Sequence, residues 1–230
     1  MSLATIQIPK ICIERGEQMK EYTKIETIFE RDTKGSKKLI EGQFRNETVK
    51  YLKDNLWVCT EKIDGTNIGV VWDGHEVSFQ GRTEKSQIPS HLLNKLNELF
   101  GGDENEELFE QTFGEKKVIL FGEGYGHKIQ NGDNYISDDV DFILFDVYFP
   151  DLNIWLSRFS IMDVANTFCV KVVPIIKICS LDKAVSYVKS KPKSTIGTAD
   201  MEGLVCKPVF DMYDRTGKRI IVKIKVRDFE

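Results

Sequence analysis

Two stretches constrain the fold of this chain more than any others, KVILFGE at 117–123 and DFILFDVYF at 141–149. Both are almost unbroken apolar sequence, too short and too rich in β-branched and aromatic residues for long helices, so each reads as a buried strand. Upstream, 56–79 repeats the sheet pattern: LWVCTEK, then IGVVW, then the turn pair Asp73-Gly74, then HEVSFQ, which together predict a three-stranded meander. Helical spacing follows in Leu92, Leu93, Leu96, Leu99 and Phe100, with Pro89 near the start and Gly101-Gly102 as a stop. DENEELFEQTF reads as a solvated second helix, and SRFSIMDVANTF and SLDKAVSYVKS as surface helices, each led by a serine able to cap. The end of the chain reads GLVCKPVF, a turn from Asp214 to Gly217, and a strand RIIVKIKV. Strand runs broken by a few helices, without regular βαβ alternation, predict an α+β architecture built on largely antiparallel sheet.

At 230 residues the chain has the size of one large domain or two small ones, and one is expected. Pattern is weak over 1–18, which is expected to be a peripheral extension, while 19–230 forms the domain. Hydrophobic residues at 41% beside 30% charged residues argue against a disordered chain and against a membrane span, and MSLATIQIPKIC has no signal-peptide core. A cytoplasmic, membrane-free monomer is the expectation. Five cysteines, an odd number without a C-x-x-C pair, read as reduced and mostly buried; three scattered histidines form no metal motif. A net charge of −4 neither indicates nor excludes a nucleic-acid partner, because phosphate needs only a local basic face.

The chemistry centres on EKIDGTN, residues 61–67. Alone, Lys-x-Asp-Gly would arise by accident in about one chain in twenty of this size, and its ordinary reading is a strand ending in a turn. Its ordered company is more telling: Arg82 in FQGRTEK, Glu123 in LFGEGYG, Phe145 and Asp146 in FILFDVYF, Glu202 to Lys207 in EGLVCK, and Lys223 and Lys225 in KIK. In that order and spacing the residues resemble the motif series of the covalent nucleotidyltransferases, the superfamily of polynucleotide ligases and mRNA capping enzymes. Within it the chain is most similar to RNA ligases of the RNA ligase 2 type, the phage and kinetoplastid editing ligases, because Asn67 stands where DNA ligases and capping enzymes usually carry arginine. KIETIFERD at 24–32 also resembles their lead-in strand, so the likeness runs from about Tyr22 to Lys225. One position departs: Asp64 stands where members of this type commonly carry histidine.

The resemblance implies a nucleotidyltransferase (ATP-grasp-like) domain and an ATP- and Mg2+-dependent reaction in which Lys62 takes AMP as a phosphoramide. AMP then passes to an RNA 5′-phosphate, and a 3′-hydroxyl displaces it. A free lysine amine titrates at about 10.4, so the nucleophile must lose its proton, and Lys223, Lys225 and a bound magnesium are implied to help. Lys223, Lys225 and Arg227 are two apart, which on a strand sets all three on one face as a phosphate clamp. Asn67 and Arg82 are implied to hold sugar and phosphate, Glu123 the ribose hydroxyl, Phe145 the adenine face and Glu61 the adenine edge. Glu202 is implied near ribose and metal, Lys207 among the nucleotide contacts, and Asp64 beside Glu202 as a metal ligand.

Glu202 and Lys207 are five apart, so both can line one site only if the region of Gly203 rotates the chain. GYGHKIQNGDNY reads as a glycine-rich loop, by default a plain mobile connection and otherwise one whose glycines let backbone approach a ligand, so His127 and Gln130 are not counted among the site residues. KGSKK (34–38) and KSKPK (189–193) are either phosphate contacts or solvated charge. The sequence ends shortly after KIK, so a C-terminal accessory domain is not expected. A DNA nick ligase, a GTP-using capping enzyme and a non-catalytic nucleic-acid-binding domain of the same fold remain alternatives.

Overall fold

The computed structural model describes residues 21–36, 38–83 and 85–230; the expected extension at 1–18 lies outside them. In chain order the strands are β1 (Glu26–Thr27), β2 (Phe29–Arg31), β3 (Leu39–Phe44), β4 (Trp57–Glu61), β5 (Thr66–Trp72), β6 (Val77–Gln80), β7 (Val118–Gly126), β8 (Val140–Phe149), β9 (Ile154–Trp155), β10 (Lys171–Val172), β11 (Ile175–Cys179), β12 (Gly203–Pro208) and β13 (Val222–Lys225). The helices are α1 (Glu47–Tyr51), α2 (Ser90–Phe100), α3 (Asp103–Phe113), α4 (Arg158–Thr167) and α5 (Leu181–Lys189).

Two sheets carry the architecture. One has the order β1-β13-β12-β4-β11; the other runs β10-β8-β7-β5-β6, with β9 added to β8. Pairing is antiparallel except β1 with β13 and β10 with β8, so the expected α+β class holds. The long apolar runs are the central strands β7 and β8, paired from Ile119↔Tyr148 to Gly126↔Val140.

The meander is corrected. β5 and β6 form the hairpin, but β4 pairs with β11 and β12 in the other sheet. The reason is local: Lys62 to Gly65 form no strand, so the chain leaves one sheet at Glu61 and enters the other at Thr66. A second crossing, at Val173 and Pro174 between β10 and β11, lies beside it, and the Glu61 amide donates to the Pro174 carbonyl at 3.0 Å.

Strand alternation gives each sheet a packed face and a face toward the other sheet. Trp57, Cys59, Leu204, Cys206, Val222 and Ile224 pack on Leu181, Ala184, Val185 and Val188 of α5. Ile68, Val70, Leu120, Phe142, Leu144 and Val147 pack on α2, α3 and α4. α3 is therefore more than a solvated helix, since Phe109 and Phe113 are buried and Phe109 stacks on Trp72 at 5.6 Å. Ser157 caps α4 by accepting from the Ser160 amide, whereas Ser180 leads α5 without a side-chain capping bond.

The last strand is shorter than expected. It stops at Lys225, and a 3-10 turn over Val226–Phe229 carries Arg227 off it, so the strand-face clamp keeps Lys223 and Lys225 only. Cys59, Cys179 and Cys206 are buried and Cys169 is exposed, all as free thiols; Cys12 lies outside the described residues. No helix among the described residues is long and apolar enough to cross a membrane.

Candidate active site

A cleft of about 730 Å³ separates the two sheets, and the first crossing forms part of its floor. Gly65 makes that floor possible: a Cβ there would meet the Gly124 carbonyl at 2.3 Å and Glu123 Cγ at 2.9 Å. Lys62, at the start of the crossing, lies beside the end of the neighbouring strand β12: its amide donates to the Gly203 carbonyl at 2.9 Å and its Nζ lies 2.6 Å from Glu202 Oε2. Lys225 Nζ lies 2.5 Å from Glu202 Oε1, so one carboxylate holds two amines.

Gly203 performs the rotation that the spacing required. Its φ of +153° lets Glu202, just outside β12, turn to the cleft, while Lys207 reaches the same cleft by ordinary alternation with Val205. Lys223 pairs with Val205 across β12 and β13, on this face. It makes no ion pair among the described residues, and its amine is pushed down to about 8, chiefly by burial and then by Lys225, Lys62, Arg82 and Lys24.

The second sheet supplies the other wall. Asn67 and Glu123 are direct partners across β5 and β7. Burial pushes the Glu123 carboxyl up to about 7 against the opposing pull of Lys62, with Glu202 and Asp64 raising it further. Asn67 Oδ1 is buried without a hydrogen-bond partner, an acceptor held in readiness for a donor. Arg82 lies exposed beyond β6, on the cleft lining.

Phe145 owes its place to a bulge. Pairing between β7 and β8 slips at Phe121/Gly122, opposite Phe145, so Phe142, Leu144 and Val147 all face the core. Phe145 and Asp146 are thereby both left on the cleft side. The Phe145 ring meets Tyr22 edge-on at 5.0 Å. Asp146, only 1% exposed, accepts from Tyr22 Oη at 2.6 Å, Lys207 Nζ at 2.7 Å and Arg219 at 2.9 and 3.2 Å. Burial raises its carboxyl, but Lys207 and Arg219 overcome that and hold it at about 2.

Lys207 is thus bound to Asp146 on the cleft wall. Glu61, implied at the adenine edge, is among the residues lining the cleft, and its carboxylate is already engaged within the protein. At 1% exposure, its oxygens are taken by Ser194 Oγ at 2.5 Å, Thr195 Oγ1 at 2.5 Å and the Thr195 amide at 2.9 Å. Asp64 is also engaged, its Oδ2 accepting from Asn131 Nδ2 at 2.6 Å.

The basic stretches are mostly spent on acids. Lys189 pairs with Glu41, Lys191 with Glu230 at 2.7 Å and Lys193 with Asp200 at 2.7 Å. Lys38 donates to the Glu230 carbonyl, and Lys37 lies outside the described residues.

Sequence reasoning missed Tyr22, Arg219, Ser194, Thr195, Asn131 and Tyr135. Their partners are 60 or more positions away, so no local spacing announces them.

As for a metal, no group of three His, Cys, Asp or Glu side chains among the described residues converges to cage an ion. The donors fit magnesium nonetheless, since that ion is commonly held by one or two carboxylates together with substrate phosphates and water. Glu202, which contacts Lys62, and Asp64, two residues after it, are carboxylates of the cleft lining that could serve as such ligands.

A mixed α+β fold with an amine-bearing crossing at the floor of a two-sheet cleft defines a nucleotidyltransferase-like domain. The sequence model of the RNA ligase family matches residues 55–225, and the chain belongs to that family. Solved structures agree in fold. A glutamate-to-alanine variant of the Naegleria gruberi RNA ligase with AMP and Mn superposes with a TM-score of 0.64 at 19% identity, covering 92% of this chain and 57% of that one. Another such variant with ATP and Mn gives 0.63 at 20% identity, over 90% of this chain and 56% of its own. The same ligase with PPi gives 0.59 at 22% identity, over 80% and 53%. The chain thus spans a little over half the length of these ligases. No curated protein matches the sequence closely enough to add to this.

Proposed function

We propose that this chain is the adenylyltransferase domain of an ATP-dependent RNA ligase with Lys62 as its nucleophile. What carries the reading is the pair of contacts on Glu202: the Lys62 amine at 2.6 Å and Lys225 at 2.5 Å, inside a cleft between two sheets. In the first step the Lys62 amine, having given up a proton, attacks the α-phosphorus of ATP. An N–P bond forms as the P–O bond to pyrophosphate breaks, leaving lysyl-AMP. A 5′-phosphate oxygen of RNA then takes the AMP, breaking the N–P bond. A 3′-hydroxyl, losing its proton, finally attacks that 5′-phosphate and expels AMP.

Catalysis of such displacements is mostly positioning and charge neutralisation. Lys225 and Lys223 face the triphosphate, with Arg82 on the adjoining wall. Asn67 Oδ1 and Glu123 are acceptors for sugar hydroxyls, Phe145 is the stacking face for adenine, and Lys207 is a nearby cation held by Asp146. Glu202 and Asp64 would hold a magnesium ion together with the substrate phosphates, and that ion would supply charge neutralisation for the leaving pyrophosphate. Glu61 acts at one remove, through the segment of Ser194 and Thr195. We treat 19–230 as one catalytic unit working as a monomer in the cytoplasm, a compartment in which four described thiols stay reduced.

The test is intact-mass spectrometry after incubation with ATP and magnesium, with Lys62→Ala alongside. One AMP adduct on the parent and none on the variant is expected; an unmodified parent removes the enzyme reading. Parallel incubation with GTP separates the capping alternative. Sealing of nicked duplexes with RNA or DNA at the 3′-hydroxyl side separates the DNA alternative.

A further inference from the structure

The loop between β7 and β8 is folded more tightly than a mobile connection needs to be. Lys128 and Gln130 both adopt positive φ, at 57° and 51°. Asp133 Oδ1 accepts from the Lys128 amide at 3.0 Å and contacts His127 Nδ1 at 2.9 Å. The His127 carbonyl is met by His91 Nε2 at 3.0 Å, which fastens the loop to α2. Non-glycine residues persist at positive φ only where the surrounding structure holds them there.

That loop reaches the crossing at two atoms of one residue. Asn131 Nδ2 donates to Asp64 Oδ2 at 2.6 Å, and the Asp64 amide donates to Tyr135 Oη at 3.2 Å. From its other side the loop holds the segment that binds Glu61: the Asn134 carbonyl accepts from the Thr198 amide at 3.2 Å, three residues from Thr195. Glu61 and Asp64 flank Lys62, so both ends of the nucleophile's turn are fixed by segments bonded to one another.

We propose that Asn131 and Tyr135 are positioning residues for Lys62, acting through Asp64. The inference rests on the reading of Lys62 as the adenylated nucleophile. Attack on phosphorus needs the amine in line with the leaving oxygen, and misplacement by about 1 Å can cost about a hundredfold in rate. The Asn131 contact to a carboxylate is charge-assisted and so among the stronger anchors available to this partly buried turn. Asp64 thereby has a task in the folded protein independent of any metal: it is the handle by which a distant loop sets the turn.

The experiment is single-turnover formation of lysyl-AMP with the full chain, ATP and magnesium. ATP affinity is measured separately on each variant by calorimetry. Asn131→Ala is expected to slow adenylation about tenfold or more while ATP affinity changes less than about twofold, and Tyr135→Phe to slow it about threefold. Thermal midpoints of both variants should stay close to the parent's, which excludes general unfolding. If Asn131 works through Asp64, adding Asn131→Ala to Asp64→Ala causes little further loss. Unchanged adenylation in Asn131→Ala, a loss confined to ATP affinity, or full additivity with Asp64→Ala would each overturn the proposal. A parent that forms no adduct refutes the enzyme reading instead, so the two failures are distinct.

Discussion

Gly203 and Ile224 lie so close across β12 and β13 that a Cβ on Gly203 would sit 2.0 Å from the Ile224 carbonyl oxygen. Gly203→Ala therefore forces the two strands apart in addition to straining its own φ, at a cost of at least about 1–3 kcal/mol. Glu202 is adjacent, so adenylation should fall further than stability does. Urea midpoints beside adduct yields check this; a variant of parental stability and yield would show that the close approach has no consequence.

Glu123 binds its proton more tightly in the folded protein, where its carboxyl titrates at about 7 against an ordinary 4.5. Its contribution to stability is thus fully present below about pH 4.5 and is lost as pH rises through 7. Glu123→Gln has no such charge to bury, so above pH 7 it should be more stable than the parent, with the advantage shrinking toward pH 4.5. In the proposed site it should also bind ATP more weakly, because the ribose would lose an anionic acceptor. Unfolding curves at pH 5 and pH 8 decide the first point, and a stability difference independent of pH refutes it.

Lys223, with its amine down at about 8, is half neutral under mildly alkaline conditions. A triphosphate favours the charged form and raises that value on binding, so ATP affinity should be greatest below pH 8 and weaken above it. Lys223→Ala should bind ATP about tenfold more weakly at pH 7 and lose most of this pH dependence. Calorimetry from pH 7 to 9 measures both; an equally steep profile in the variant assigns the titration elsewhere.

Asp146 is the shared counter-ion of Lys207 and Arg219, with its carboxyl held at about 2. Because that lies below its ordinary 3.8, the stabilisation is present above pH 3.8 and lost as pH falls toward 2. Asp146→Ala strands two cations, and breaking a buried ion pair from one side typically costs about 3–5 kcal/mol. Tyr22→Phe removes two hydrogen bonds, the one donated to Asp146 and the one accepted from Arg219 at 3.2 Å, but strands no charge and should cost about 2 kcal/mol. Comparable losses in the two variants would mean that the network is not organised around the carboxylate.

Much of the fold was legible because strand and helix periods are local. The runs around Phe121 and Phe145, the leucine spacing ahead of Gly101 and the serine before Arg158 each specify their own element. The meander was not legible, since nothing in LWVCTEK says which sheet receives it; that is settled by β12, some 140 residues downstream. For the site, residue order exposed the members that meet at Glu202, together with Phe145 and Glu123. It did not expose that Glu61 is enclosed by Ser194 and Thr195, or that Asp146 anchors Arg219. Short polar residues in loops have no periodicity to reveal their partners.

The two crossings, at 62–65 and at Val173 and Pro174, run side by side where the sheets meet. They are in effect the spine of a book whose covers are the sheets. Any change in the angle between the covers has to be absorbed as backbone rotation along that spine, and the amine of Lys62 is mounted on it. In the proposed reaction, closing around a nucleotide and aiming the amine at its phosphorus would therefore be one mechanical event, geared through the same few peptide units.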